Sequence, residues 1–286
     1  MGPSQRPMIE RVVDTDRFPV AIPGAGRDAV VARVRRDLAA DGCSVLPGFV
    51  RPEVRGVLEA EGAAAAGSAH HDVEIVNVYN TDPDPALPPG HPARRTTERG
   101  NAFVARDRVP ADAVVQRLYT STALQEFVAA CVGLPRVFEL ADPLAGLTLN
   151  VVVPGRGHPW HFDTNEFTVS MVTREPESGG VFEYCPGIRS ADDENLAAVT
   201  EVLDGHGDTR VRRLPLRVGD LQIFAGRYAL HRVTTVGGAH ARHSAILAYS
   251  ARPGVVGAVA RTRQLFGRVT PAHTDADRVR VDSLMD

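Results

Sequence analysis

From Gly146 onward the chain divides into eight short β-prone runs separated by turn signals, and nothing else in it narrows the possible folds so far. The runs are LTLNVVVPG, PWHFD, FTVSMVT, VFEYCPG, VRRLPL, DLQIF, LHRVTT and ARHSAILAYS. Strands this short cannot bury a face alone, so they predict two packed antiparallel sheets, a mainly β jelly-roll barrel. Upstream, the pattern is helical. Val30, Val31, Val34 and Leu38 recur at helix spacing within 27–41, with arginines between them, as expected of an amphipathic helix laid on the barrel. SVLPGFV reads as strand and turn, 54–67 as a second helix, and 111–133 as one or two helices with a break near Thr120–Thr122. Residues 191–205 look like a helix inserted between strands.

The expected organisation is a single catalytic domain over 1–286. Residues 1–25 would be an N-terminal arm, 26–140 a helical and mixed flank with a lid at 81–100, 145–250 the jelly-roll core, and 251–286 a C-terminal extension. In that extension RTRQLFGRV is expected as strand or coil closing one barrel end. The lid rests on TDPDPALPPGHPARRT (81–96), an aperiodic stretch with five prolines; structureless loops of this length in compact domains are often functional. Its Arg94 and Arg95, with Arg99 just beyond, could meet a substrate carboxylate or touch only water.

Composition removes several mechanisms. All 32 basic residues are arginine, so there is no lysine for a Schiff base and none for a phosphate loop ending in Gly-Lys-Ser/Thr. A net charge of −3 offers no footprint for a polyanion, which favours a small-molecule substrate over nucleic acid. Cys43, Cys131 and Cys185 are odd in number and widely spaced, as in a reducing cytoplasm. No run reaches the ~18 apolar residues that span a bilayer, so no membrane partner is expected. The sequence gives no reading of oligomeric state.

The chemistry concentrates in HFD at 161–163, in His231, and in Arg242 with Ser244. Residues i and i+2 of a strand share a face, so His161 and Asp163 can present an imidazole and a carboxylate together. A distant strand carrying His231 would complete two histidines and one carboxylate, a donor set that leaves positions open on Fe(II). Alone, a His-x-Asp is more often a turn or a surface pair. Here the next strand places Arg242, Ser244, Ile246 and Ala248 on one face, and arginine's planar fork suits bidentate capture of a carboxylate.

These residues resemble the iron(II)/2-oxoglutarate-dependent dioxygenases, over about 145–250. LAADGCSVLPGFVRPEVRGVLEAE (38–61) and GGVFEYCPGIR (179–189) are similar to the phytanoyl-type branch of that family. The resemblance implies a double-stranded β-helix, cupin-like barrel in which His161, Asp163 and His231 bind Fe(II). Arg242 would hold the distal carboxylate of 2-oxoglutarate, and Ser244 matches an Arg-x-Ser variant. It implies reaction with O2, release of succinate and CO2, and hydroxylation of an unactivated C–H in a small molecule such as an amino acid or natural-product intermediate. Family halogenases carry a small residue where Asp163 stands, so that chloride can coordinate; halogenation is therefore disfavoured here. Desaturation, ring closure and epimerisation stay open.

Further candidates each have an ordinary alternative. Asn150 could bond cosubstrate or substrate, or be a strand-edge amide. Asn165 and Glu166 could read a polar substrate at the barrel mouth, or serve a β-turn. Trp160 could wall the pocket or sit in the core. His158, three residues before His161, should point differently on a strand and is expected to support the site or a turn. The competing function is a non-redox cupin-like metal-dependent isomerase or binding protein, which would have no need of Arg242.

Overall fold

The computed structural model describes residues 7–274. Ten strands build its two main sheets: β1 (Cys43–Leu46), β2 (Ala102–Val104), β3 (Leu147–Val152), β4 (His158–His161), β5 (Thr168–Arg174), β6 (Phe182–Cys185), β7 (Arg212–Leu214), β8 (Leu221–Phe224), β9 (Leu230–Val233) and β10 (Arg242–Leu247). The larger sheet runs β1-β8-β5-β10-β3-β2 and the smaller β7-β6-β9-β4, with every neighbouring pair antiparallel. All eight expected runs contribute a strand. The sheets are not closed into one hydrogen-bonded barrel; they face each other across a cavity lined by both.

Period-2 alternation gives the larger sheet two unlike faces. Val169 and Met171 of β5, Leu221 and Ile223 of β8, and Ala245 and Leu247 of β10 join the main hydrophobic core. Their neighbours Thr168, Ser170, Gln222, Phe224, Arg242, Ser244 and Ile246 line the cavity. The core side is covered by helices α1 (Met8–Val12), α2 (Ala25–Asp41), α3 (Pro52–Ala66), α4 (Val114–Tyr119) and α5 (Thr122–Val132). Leu58, Leu118, Leu124 and Phe127 are fully buried there, each worth roughly 1.5–3 kcal/mol of transfer free energy.

Local chemistry sets the helix limits. Gly42, with φ 62°, ends α2 in the left-handed conformation that lacks a Cβ penalty. Ser121 breaks the 111–133 region where expected: its hydroxyl accepts from Leu124 N–H and starts α5. Glu61 of α3 accepts from Val114 N–H at 2.8 Å and caps α4.

Three expectations need correction. Residues 7–25 are not a loose arm throughout: α1 buries Ile9 and Val12, and Val13 bridges to Val50. The inserted helix is α6 (Leu196–Leu203), and the loop at 81–96 leans toward it over most of its length, with Thr81 alone of its residues lining the cavity. Asn77 holds that loop by donating to Thr81 and Ala93 carbonyls, and Arg95 pairs with Asp204 just past α6. The segment RTRQLFGRV is neither strand nor coil at its centre, since α7 (Val259–Phe266) forms there, with α8 (Pro271–Thr274) just beyond it. Residues 275–286 of the expected extension, like 1–6 of the arm, lie outside the described residues.

All three cysteines are free and buried, and burial pushes the Cys43 and Cys131 thiols up to about 12 and Cys185 up to about 11. Among the described residues no helix is long and apolar enough to cross a membrane.

Candidate metal centre

His161 ends β4, and His231 stands opposite it on β9. Asp163 lies two residues past the strand, where its N–H donates to the Gly226 carbonyl at 3.1 Å. One ligand atom from each residue falls within 4.8 Å of the others. The Asp163 Oδ1 is 3.4 Å from His231 Nε2 and 3.8 Å from His161 Nε2. Each imidazole also turns Nδ1 to a main-chain carbonyl, His161 to Pro159 at 2.8 Å and His231 to Ala229 at 2.9 Å. A carbonyl only accepts, so Nδ1 carries the hydrogen and both Nε2 lone pairs are free to bind a metal.

Electrostatics agree with that donor set. Burial, and then the neighbouring His231, lowers His161 to about 3, so its ring is neutral near pH 7. Burial pulls the Asp163 carboxyl up, but the histidines beside it and the Thr168 hydroxyl, 2.7 Å from Oδ2, outweigh that and hold it below the usual carboxylate range. A neutral imidazole and an ionised carboxylate are the forms a divalent ion needs. Gly226 makes the room: a Cβ there would collide with the Asp163 carboxylate.

Across a cavity of about 1010 Å³, β10 and β3 form the opposite wall. Arg242 is buried, donates from Nη1 to Ser244 Oγ at 3.1 Å, and has no carboxylate partner among the described residues. Burial lowers its guanidinium to about 10. A buried, unmatched cation in a cavity is a site for an anion. Asn150 pairs with Ser244 in register and lines the same wall. Its Oδ1 accepts from Asn101 at 2.8 Å, while its Nδ2 lies 3.5 Å from His158 Nδ1.

His158 departs from its expected direction. It lines the cavity, with its ring stacked on His161 at 3.9 Å and 18°. The cause is a register shift: His161 faces His231 but His158 faces Val233, three residues against two. The extra residue resets the alternation, so both imidazoles point inward. Burial holds His158 neutral, well below its usual value, and its Nε2 has no partner.

The other expected substrate contacts divide. Asn165 lines the cavity, whereas Glu166 is exposed and does not. Trp160 does not line it either; it packs on the cluster of Phe162, Cys185 and Leu230, with the Arg232 guanidinium 4.5 Å over its ring. Arg94 donates to the Leu87 carbonyl, and neither it nor Arg95 reaches the cavity. Arg99 is buried behind Phe103 and pairs with Glu74, while its Nε and Nη1 lack partners. The sequence reading missed Thr168, Gly226 and Arg261. Thr168 sits five residues from Asp163 with no motif to mark it, and nothing in the sequence singles Gly226 out from the other glycines.

A family model described as Halogenase D matches residues 27–264. Among solved structures the chain is similar to an oxidoreductase of the 2OG-Fe(II) oxygenase family from Burkholderia pseudomallei, at 15% identity and TM-score 0.50, covering 81% of this chain and 93% of that one. A prolyl hydroxylase from Trichoplax adhaerens, in complex with a hypoxia inducible factor peptide fragment, matches at 14% identity and TM-score 0.52 over 78% of this chain and 90% of its own. The non-heme alpha ketoglutarate dependent epimerase SnoN from nogalamycin biosynthesis matches at 17% and 0.53, over 78% and 81%. At such identities the likeness establishes the fold. No curated protein matches the chain.

Proposed function

The chain belongs to the Halogenase D family, and from that premise we propose an Fe(II)- and 2-oxoglutarate-dependent oxygenase that hydroxylates a small molecule rather than halogenating it. One observation carries the choice: the metal-facing carboxylate is present and its surroundings are shaped to it. Thr168 donates to Asp163 Oδ2, and Gly226 leaves the space that Oδ2 occupies. In halogenases of the wider oxygenase family a small residue at this place leaves room for chloride, and Asp163 fills that room.

In this reading His161, Asp163 and His231 hold the iron, and the two sheets are the halves of a double-stranded β-helix barrel. Arg242 and Ser244 take the distal carboxylate of 2-oxoglutarate, with Asn150 beside them. When bound, iron and 2-oxoglutarate supply with O2 an oxidant able to attack an unactivated C–H, releasing succinate and CO2. The protein's own share is to keep His161 and His158 neutral, to orient both metal-binding rings through Pro159 and Ala229, and to supply Arg242 as counter-charge. That buried guanidinium weighs against a cupin-like isomerase or binding module, which would have nothing to pair with it. An amino acid or natural-product intermediate would enter beside Asn165.

Adding Fe(II) and 2-oxoglutarate without oxygen should produce the visible charge-transfer band of a chelated keto acid. Arg242→Ala should need about 30-fold or more extra 2-oxoglutarate to reach the same band, since breaking a buried charge-assisted pair costs roughly 2–5 kcal/mol. Amino acids that then stimulate succinate release in chloride buffer should yield hydroxylated products. A chlorinated product would overturn the choice, and absence of the band would overturn the oxygenase.

A further inference from the structure

One side of the cavity belongs to neither sheet. Residues 252–258, followed by Arg261, Thr262 and Leu265 of α7, form that wall. This strap is pinned from below by Asp142, which is fully buried. Asp142 Oδ1 accepts from the N–H groups of Leu144 and Ala145, each at 2.7 Å, and Oδ2 accepts from Gly257 N–H at 2.9 Å. His273 of α8 meets the same Oδ2 through Nε2 at 3.1 Å, with both side chains wholly out of solvent.

Arg261 is the charge that the strap presents. It lines the cavity, is half-buried, and donates only to Gln264. Among the described residues no carboxylate pairs with it. Glu74, the acid whose charge favours it most, is already engaged by Arg99. Burial and the charge of Arg99 both oppose the Arg261 charge, while Glu74 and Asp163 favour it. Among the described residues the cavity lining contains one carboxylate, Asp163, against the guanidiniums of Arg242, Arg252 and Arg261. A ferrous ion adds two positive charges and 2-oxoglutarate removes two, so the positive excess persists with both in place.

We propose that Arg261 is a specificity-determining residue that binds a carboxylate of the substrate at the strap side of the cavity. The substrate class is therefore small carboxylic acids, and their neutral amides are rejected. With Arg99 matched by Glu74 and Arg252 exposed to solvent, the one spare guanidinium drawn in from solvent on this side is Arg261, which fits a singly charged carboxylate better than a phosphate dianion. The inference rests on the oxygenase reading for what becomes of the substrate, but the anion site itself does not depend on metal.

The test is calorimetric titration of the protein, both metal-free and loaded anaerobically with Fe(II) and 2-oxoglutarate, with the common L-amino acids, their C-terminal amides and inorganic phosphate. At least one acid should bind, with its amide weaker by about 10- to 100-fold, the loss expected when one charge-assisted hydrogen bond is removed. R261Q should lose a similar factor for the acid and leave the 2-oxoglutarate band unchanged, while R261K recovers part of the affinity. Melting curves establish that both variants are folded. Acid binding by R261Q at the wild-type level, an amide that binds as well as its acid, phosphate as the sole ligand, or no acid bound at all would each overturn the proposal. A wild-type protein that binds the acid through Arg261 yet gives no 2-oxoglutarate band would overturn the oxygenase reading and leave the anion site standing.

Discussion

The metal end of the cavity and its strap end are built on different principles. At the metal end the side chains come from paired strands and one tight turn, and the spare nitrogen of each metal-facing imidazole is bonded to backbone two residues away. At the strap end the wall is a coil and a helix whose position depends on contacts to Asp142, remote in sequence. The first arrangement fixes geometry locally; the second can be redrawn without disturbing the first. Reactive groups held on a sheet and selecting groups held on attached segments is a division that lets one chemistry serve different substrates.

The largest expected effect separates the two ends outright. Asp163→Ala removes the only carboxylate of the triad, so both iron retention and succinate release should fall to background, with the strap intact. Metal analysis after desalting together with a succinate assay checks this, and residual turnover near wild type would show that the reaction does not depend on this end.

A smaller effect should appear at the other end. His273→Ala leaves Asp142 Oδ2 short of one partner in a dry site, at a cost of about 1–3 kcal/mol. Hydrogen exchange should rise across 252–266 while the strands around His161 and His231 stay protected and the 2-oxoglutarate band persists. Equal loosening of both ends would erase the distinction between them.

Acid gives the gentlest probe. Burial is the leading cause that holds His158 well below its usual value, His161 at about 3 and His243 at about 4. Unfolded, these rings take up a proton near pH 6.5; folded, they refuse it, so their contribution to stability is complete above that pH and is lost as pH falls toward 4. The melting temperature of metal-free protein should drop over that window. His243 packs beneath α3, beside Gly62, away from the cavity, so His243→Gln should flatten part of the drop without altering metal binding. A flat wild-type profile would contradict the neutral state assigned to these rings.

Much of the metal end could be read directly because its information is periodic and local. Arg242, Ser244, Ile246 and Ala248 alternate along one run, and all four line the cavity. The His-x-Asp spacing needs only a strand end to bring its two groups together. The strap could not be read in this way. In RTRQLFGRV, Leu265 and Phe266 are adjacent, which suits a strand as well as a helix, and the docking of α7 on β2 comes from a part of the chain far away in sequence. Arg99 was named among three arginines with nothing to rank them, because its burial depends on Phe103 and Glu74, which come from other strands. The direction of His158 was misjudged because a shifted ladder leaves no mark in a single strand.

That shifted ladder also limits how the molecule can vary in length. Deleting Pro159 or Trp160 would bring the strand back into ordinary step with its partner, and one of the two stacked imidazoles would swing out toward the far side. Beyond Thr81, the proline-rich loop that ends at 96 can gain or lose residues at little cost to the chamber. The four residues from His158 to His161 can exchange side chains at their middle positions, but their number is fixed.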